Sequence, residues 1–147
     1  MSGAGGHTID EVSVTETWAR LQRDPNAQLI DVRTKAEWAF VGVPDLGTVN
    51  KRPVLVEWQT FPDNRVDQNF AARLIESLEV AGASKESELL FICRSGGRSL
   101  MAAQAMTAAG YTRCRNVSSG FEGPLDPSRH RGLLSGWKAS GLPWVQG

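Results

Sequence analysis

A doubly wound parallel α/β sheet is the fold class this sequence predicts, and three observations predict it. Short apolar runs alternate with stretches of helical periodicity along the whole body of the chain. One run, Leu89-Leu90-Phe91-Ile92, has no polar interruption, as a strand covered on both faces requires. At 147 residues with 41% hydrophobic side chains, the chain has the size and apolar content of one cored domain.

The elements follow in order. Residues 1–7, rich in glycine, are expected to be a disordered lead-in to a single domain over residues 8–147. Thr15 to Arg23 is a helix with Val14, Trp18 and Leu21 on one face, stopped by Asp24-Pro25-Asn26. Gln28 to Val32 is a strand. Thr34 then caps a short helix, because Glu37 stands at the capping-box spacing. The segment from Gly42 to Gly47 is loop, Pro53 to Val56 a strand, and Phe61 to Asn64 a turn. Phe70, Ala71, Leu74, Ile75 and Leu78 mark a helix over Asp67–Val80, ended by Gly82. Glu88 to Ile92 is a strand, and a helix from about Gly97 stops at Gly110. Tyr111 to Val117 is the last strand, and Ser135 to Ala139 a final helical turn.

Charge and composition narrow the function classes. Sixteen basic residues balance sixteen acidic ones, so no general field draws in nucleic acid or an anionic membrane. No apolar stretch has the length of a membrane span and the N-terminus has no signal pattern, so a cytoplasmic protein is expected. Two cysteines and two histidines do not make a disulfide framework or a metal site, and no motif calls for a cofactor.

Cys93 is the candidate nucleophile. It ends the most apolar run and opens Cys93-Arg94-Ser95-Gly96-Gly97-Arg98-Ser99, which leads into a helix. In a doubly wound sheet, sites form at the carboxyl ends of strands, where Cys93 and Asp31-Val32-Arg33 both fall. A free cysteine titrates near ~8.5, and helix N-termini or neighbouring cations favour its thiolate. Gly96 and Gly97 allow backbone N–H groups to turn inward, Arg94 and Arg98 bring charge, and Ser95 and Ser99 bring hydroxyl donors. Arg98, at the end of the loop, is expected to point inward. A buried inert cysteine does not explain six following residues without one large apolar side chain.

These motifs, with Leu29-Ile30-Asp31-Val32-Arg33 upstream and Gly110-Tyr111, Asn116-Val117 and Gly120-Phe121-Glu122-Gly123 downstream, make a chain that resembles the single-domain rhodanese family. The likeness runs from about Thr8 to Trp144. It implies a five-stranded parallel sheet with helices on both faces. It also implies transfer of sulfane sulfur from thiosulfate or a related anionic donor, through a persulfide on Cys93, to cyanide, a thiol or a protein acceptor. Arg94 to Ser99 then bind the donor. The alternatives are a sulfur-carrier or regulatory module of the same fold, and a cysteine phosphatase. Related phosphatases carry one more residue between the cysteine and the arginine, whereas position 99 here is serine. The stretch Phe40 to Gly47 keeps the proline turn of the family's Gly-His-Ile-Pro-Gly-Ala-like segment but lacks its histidine and alanine.

Asp31 and Arg33 are read as a buried ion pair supporting the loop, and Glu37 as the capping partner of Thr34. Cys114 is read as core packing rather than a resolving thiol. Trp38 and Trp58 are candidates to wall the pocket. Arg129, His130 and Arg131 form a solvated basic loop on its downstream side, suited to an anion or a protein partner.

Overall fold

A computed structural model describes residues 8–60 and 63–146; the expected lead-in over 1–7 lies outside the described residues. The strands are β1 (Asp10–Val12), β2 (Gln28–Asp31), β3 (Val43–Pro44), β4 (Val54–Leu55), β5 (Gln59–Thr60), β6 (Arg65–Val66), β7 (Leu89–Ile92), β8 (Cys114–Val117) and β9 (Trp144–Val145). The helices are α1 (Val14–Arg23), α2 (Lys35–Val41), α3 (Phe70–Val80) and α4 (Gly97–Ala108), with a 3₁₀ turn at Gly47–Val49. Five strands form a parallel sheet in the order β1-β8-β7-β2-β4, and β3-β9 and β5-β6 are short antiparallel pairs beside it.

Strand alternation divides the core into two layers. Ile30, Leu89 and Phe91 face α3 and α4, meeting Phe70, Leu74, Leu78, Ala102, Ala103 and Met106. Leu29, Leu90, Ile92 and Val117 face the other way, onto Val14 and Leu21 of α1 and onto Phe121 and Trp137. All four residues of β7 are fully buried, so the central strand is apolar throughout because both of its faces are covered. Cys114 packs in the first layer, where burial pushes its thiol pKa up, as expected of a core cysteine.

Most expected elements form, with shifted ends. Helix α1 starts at Val14 because the Ser13 side chain accepts from the Glu16 amide. Helix α3 starts at Phe70, since Asp67 accepts from the Asn69 and Phe70 amides in a turn before it. The ladder of β8 begins at Cys114, after a turn in which the Tyr111 amide returns to Met106 O. The helical turn expected over Ser135–Ala139 forms one residue later as a single turn, Ser140 N donating to Gly136 O at 3.0 Å, and does not extend: Gly136 has a φ of 107°, outside the helical region, and the chain there closes on Gly120 and Phe121. The edge strand β1 has no apolar run to announce it; it pairs in parallel with β8 through Asp10, Glu11 and Val12.

Candidate active site

Strands β2 and β7 are adjacent, and the chain leaves them in opposite directions across the sheet. Their carboxyl ends therefore open a crevice, and Asp31 and Cys93 stand at it. Cys93 continues from β7 on the side facing α3 and α4, and its side chain is 1% exposed.

The loop wraps the sulfur with two donors. The Gly96 amide lies 3.2 Å from Cys93 Sγ, and Ser99 Oγ also lies 3.2 Å away. Gly96 has a φ of 114°, which glycine tolerates, and it is the N-cap of α4. The fully buried Ser99 hydroxyl has one hydrogen and three acceptors in reach: Cys93 Sγ, Gly96 O and Asn116 Oδ1, of which Asn116 is nearest. It can thus give its hydrogen to Asn116 while the sulfur is a thiol, and to the sulfur once that is an anion. Asn116 is held in turn, its amide donating to the Glu11 carboxylate at 3.0 Å and to Gly96 O at 3.1 Å. Ser95, by contrast, is exposed and its hydroxyl makes no hydrogen bond among the described residues.

The two arginines of the loop differ. Arg94 is exposed, whereas Arg98 makes a two-point ion pair with Glu37, Nη1 to Oε1 at 2.7 Å and Nη2 to Oε2 at 2.9 Å. Glu37 also completes the capping box with Thr34, so one carboxylate joins the start of α2 to the start of α4. Nothing in the sequence links positions 37 and 98; the pairing is a product of the topology. The Glu37 hydrogen bonds, followed by the Cys93 sulfur as a smaller contribution, push the Arg98 pKa up.

Burial alone raises the Glu37 pKa, but hydrogen bonds from Arg98 and Thr34 hold it at about 2, below its ordinary 4.5. A carboxylate depressed on folding stabilises the protein in full above its ordinary pKa and loses that contribution as the pH falls through the folded value. Wild type is therefore expected to exceed Glu37→Gln in urea midpoint by a constant margin above about pH 5, a margin that shrinks towards pH 2. A margin independent of pH over that range speaks against the ion pair as its source.

Asp31 and Arg33 are both completely buried and paired, Arg33 Nη2 to Asp31 Oδ2 at 2.7 Å. Arg33 Nη2 also donates to Gly42 O at the end of α2, and the guanidinium lies 4.2 Å from the centre of the Phe121 ring. The segment Gly120–Gly123 is in turn bound to the Cys93 loop: the Phe121 amide donates to Cys93 O, and the Glu122 and Gly123 amides to Arg94 O. The expected supporting role thus has a route, from β2 through Phe121 to the backbone of Cys93.

Above the loop lies an open cleft of about 750 Å³, lined by Glu37, Phe40, Asn64, Arg94, Arg98, Glu122, Leu125, Arg129 and Arg131 among others. Trp38 and Trp58 do not line it: Trp58, half-buried, packs edge-on against the core residue Phe70, 4.9 Å between ring centres. The basic loop does reach it, through Arg129 and Arg131, whereas His130 is exposed and not in the lining. Sequence reasoning missed Asn116 and Glu122 as site neighbours and Glu37 as the partner of Arg98. No group of three or more histidine, cysteine, aspartate or glutamate side chains among the described residues is placed to hold a metal.

Comparison with known proteins agrees with this architecture. An uncharacterized protein of Rickettsia conorii is 35% identical over 137 residues, covering 93% of this chain and 98% of that one. Thiosulfate sulfurtransferase 18 of Arabidopsis thaliana is 31% identical over 118 residues, 80% of each chain. The crystal structure of Rv0390 from M. tuberculosis superposes with a TM-score of 0.86 at 43% identity, covering 96% of this chain and 100% of that one. A family profile described as STR4 middle domain matches residues 9–147, and the chain belongs to that family of rhodanese-like domains.

Proposed function

We propose that this protein is a sulfurtransferase that carries sulfane sulfur as a persulfide on Cys93. The observation that carries the reading is the pair of donors, Gly96 N–H and Ser99 Oγ, each 3.2 Å from Cys93 Sγ at the start of α4. Both can donate to an anionic sulfur, and neither is a base that would be needed to activate an oxygen nucleophile. The thiolate attacks the outer sulfur of thiosulfate, one S–S bond forms, the donor's own S–S bond breaks, and sulfite leaves with the electron pair. The donor enters between Arg94 and Arg98, the loop residues that line the cleft. The loop spacing disfavours a phosphatase, whose tetrahedral oxyanion needs a wider cradle. Both cysteines are free thiols, which suits a reducing compartment such as the cytoplasm.

The test is intact-mass and peptide-mass spectrometry after incubation with thiosulfate. The expected result is a gain of one sulfur atom, located on Cys93 and removed by a thiol reductant. An unmodified protein, or sulfur found on Cys114, contradicts the reading. Steady-state turnover with cyanide then separates an enzyme from a dedicated carrier, which loads but turns over slowly.

A further inference from the structure

We propose that the cleft mouth docks an acidic, partly apolar polypeptide segment bearing the acceptor thiol; this rests on the sulfurtransferase reading and names its acceptor. Charge is the first argument. The chain as a whole has zero net charge, yet Arg94, Arg129 and Arg131 meet at the mouth with no ion pair among the described residues. Arg98 is already neutralised by Glu37, so the lining sets one further carboxylate, Glu122, against three guanidinium groups that have no carboxylate partner, Arg131 being held by Gly123 O alone. Such a cluster draws an anionic partner.

Arg129 is also held in place. Its turn is closed by Asp126 N to His130 O at 2.7 Å, Arg129 N to Asp126 O at 2.8 Å and His130 N to Asp126 Oδ1 at 2.8 Å. Arg129 itself takes a left-handed φ of 66°, a conformation that a free arginine rarely adopts.

The second argument is apolar surface, which a small anion or free thiol has no means to use. Phe40, 79% exposed, and Leu125 line the mouth. Leu133 and Leu134, also exposed, follow directly in the chain on Arg131 and Gly132, which are tied to the lining segment by Gly132 N to Glu122 O at 2.6 Å and Arg131 Nη1 to Gly123 O at 2.8 Å. An aromatic side chain and arginines beside exposed leucines are the composition of a protein-binding surface. A partner with carboxylates and apolar side chains around a cysteine satisfies both arguments at once.

The transfer balances without an oxidant or reductant. The acceptor thiolate attacks the outer sulfur of the Cys93 persulfide, a new S–S bond forms, and the bond to Cys93 breaks. Cys93 leaves as the thiolate, and the persulfide charge travels with the transferred sulfur.

The protein is loaded with thiosulfate, freed of donor, and offered three acceptors. These are a synthetic peptide with one cysteine among aspartates and leucines, the same peptide with lysines for aspartates, and free cysteine. Loss of sulfur from Cys93 is followed by mass spectrometry. The expected order is the acidic peptide about tenfold or more ahead of the basic one and of free cysteine. Arg129→Glu is expected to narrow the preference between the peptides, and Phe40→Ser to slow the acidic peptide more than it slows free cysteine. Equal rates for the two peptides, or free cysteine as fast as the acidic peptide, overturn the proposal. Anisotropy of the fluorescently labelled acidic peptide on unloaded protein keeps the two readings apart. Salt-sensitive binding without loading sinks the sulfurtransferase and leaves the surface, whereas loading without discrimination sinks the surface alone.

Discussion

Cys93→Ser is expected to lose sulfur transfer by at least about a thousandfold while remaining folded. The substitution keeps the shape of the side chain and leaves the Gly96 amide and Ser99 hydroxyl, each 3.2 Å from the sulfur in wild type, with an oxygen to meet. It removes the chemistry for two reasons. A serine hydroxyl ionises far less readily than a thiol, and the structure places no histidine at the loop to take its proton; the one described histidine, His130, is exposed and outside the cleft lining. A hard oxygen nucleophile also attacks the divalent sulfur of the donor far less readily than a thiolate does. The side chain is 1% exposed but its hydroxyl would be hydrogen-bonded, so the stability cost is held to about 1–2 kcal/mol. The measurements are thiosulfate-to-cyanide turnover and a urea melt on the same preparation. A variant that retains a tenth of wild-type turnover removes Cys93 from the mechanism.

How much of this was legible in the sequence depends on whether a feature is local. The nucleophile loop, the capping box of Thr34 and Glu37, and strand β7 are contiguous in the chain, and each forms where its residue pattern places it. Pairings between distant segments carry no such signal. Glu37 serves its local cap and also holds Arg98, sixty-one residues away, and only the second role bears on the cleft. Asn116 reads as a polar residue interrupting a strand, yet it is 3% exposed because Glu11, Gly96 and Ser99 satisfy its amide. Strand β1 has one buried residue, Val12, too little for any periodicity to show. The Ser135–Ala139 segment shows where local reading stops: its single helical turn closes from Ser140 N to Gly136 O, while the buried Trp137 is anchored by its amide on Gly120 O and by its indole on Pro143 O. Tertiary contacts decide that backbone.

The arginines show the same division. Both loop guanidinium groups are expected to serve an anion, and residue type alone does not separate them. The structure does: Arg98 is a fixed strut between two helices, and Arg94 is the exposed charge. A site that loads an anion and then releases a thiolate gains from having its inner cation already partnered, because the pair keeps its geometry when the substrate charge departs.

Gly120→Ala is expected to destabilise the protein by at least about 3 kcal/mol and to abolish persulfide formation in whatever fraction remains folded. A Cβ at this position would stand 2.5 Å from Cys93 O and 2.6 Å from Arg94 O, both backbone atoms that cannot swing aside. The same carbonyls accept the amides of Phe121, Glu122 and Gly123, so relieving the clash breaks the hydrogen bonds that hold the nucleophile loop. Gly120 also has a φ of 67°, for which alanine pays about 1–2 kcal/mol regardless of its surroundings. Gly82→Ala separates these contributions: Gly82 has a φ of 79°, but nothing lies within 4 Å of its Cβ position. That control is expected to cost only the conformational share, about 1–2 kcal/mol, and to leave persulfide loading at wild-type levels. Urea midpoints and mass-spectrometric loading of the two variants, taken side by side, decide the matter. If Gly120→Ala costs no more than Gly82→Ala, the close approach of the Gly120 segment to the Cys93 backbone is not what holds the loop.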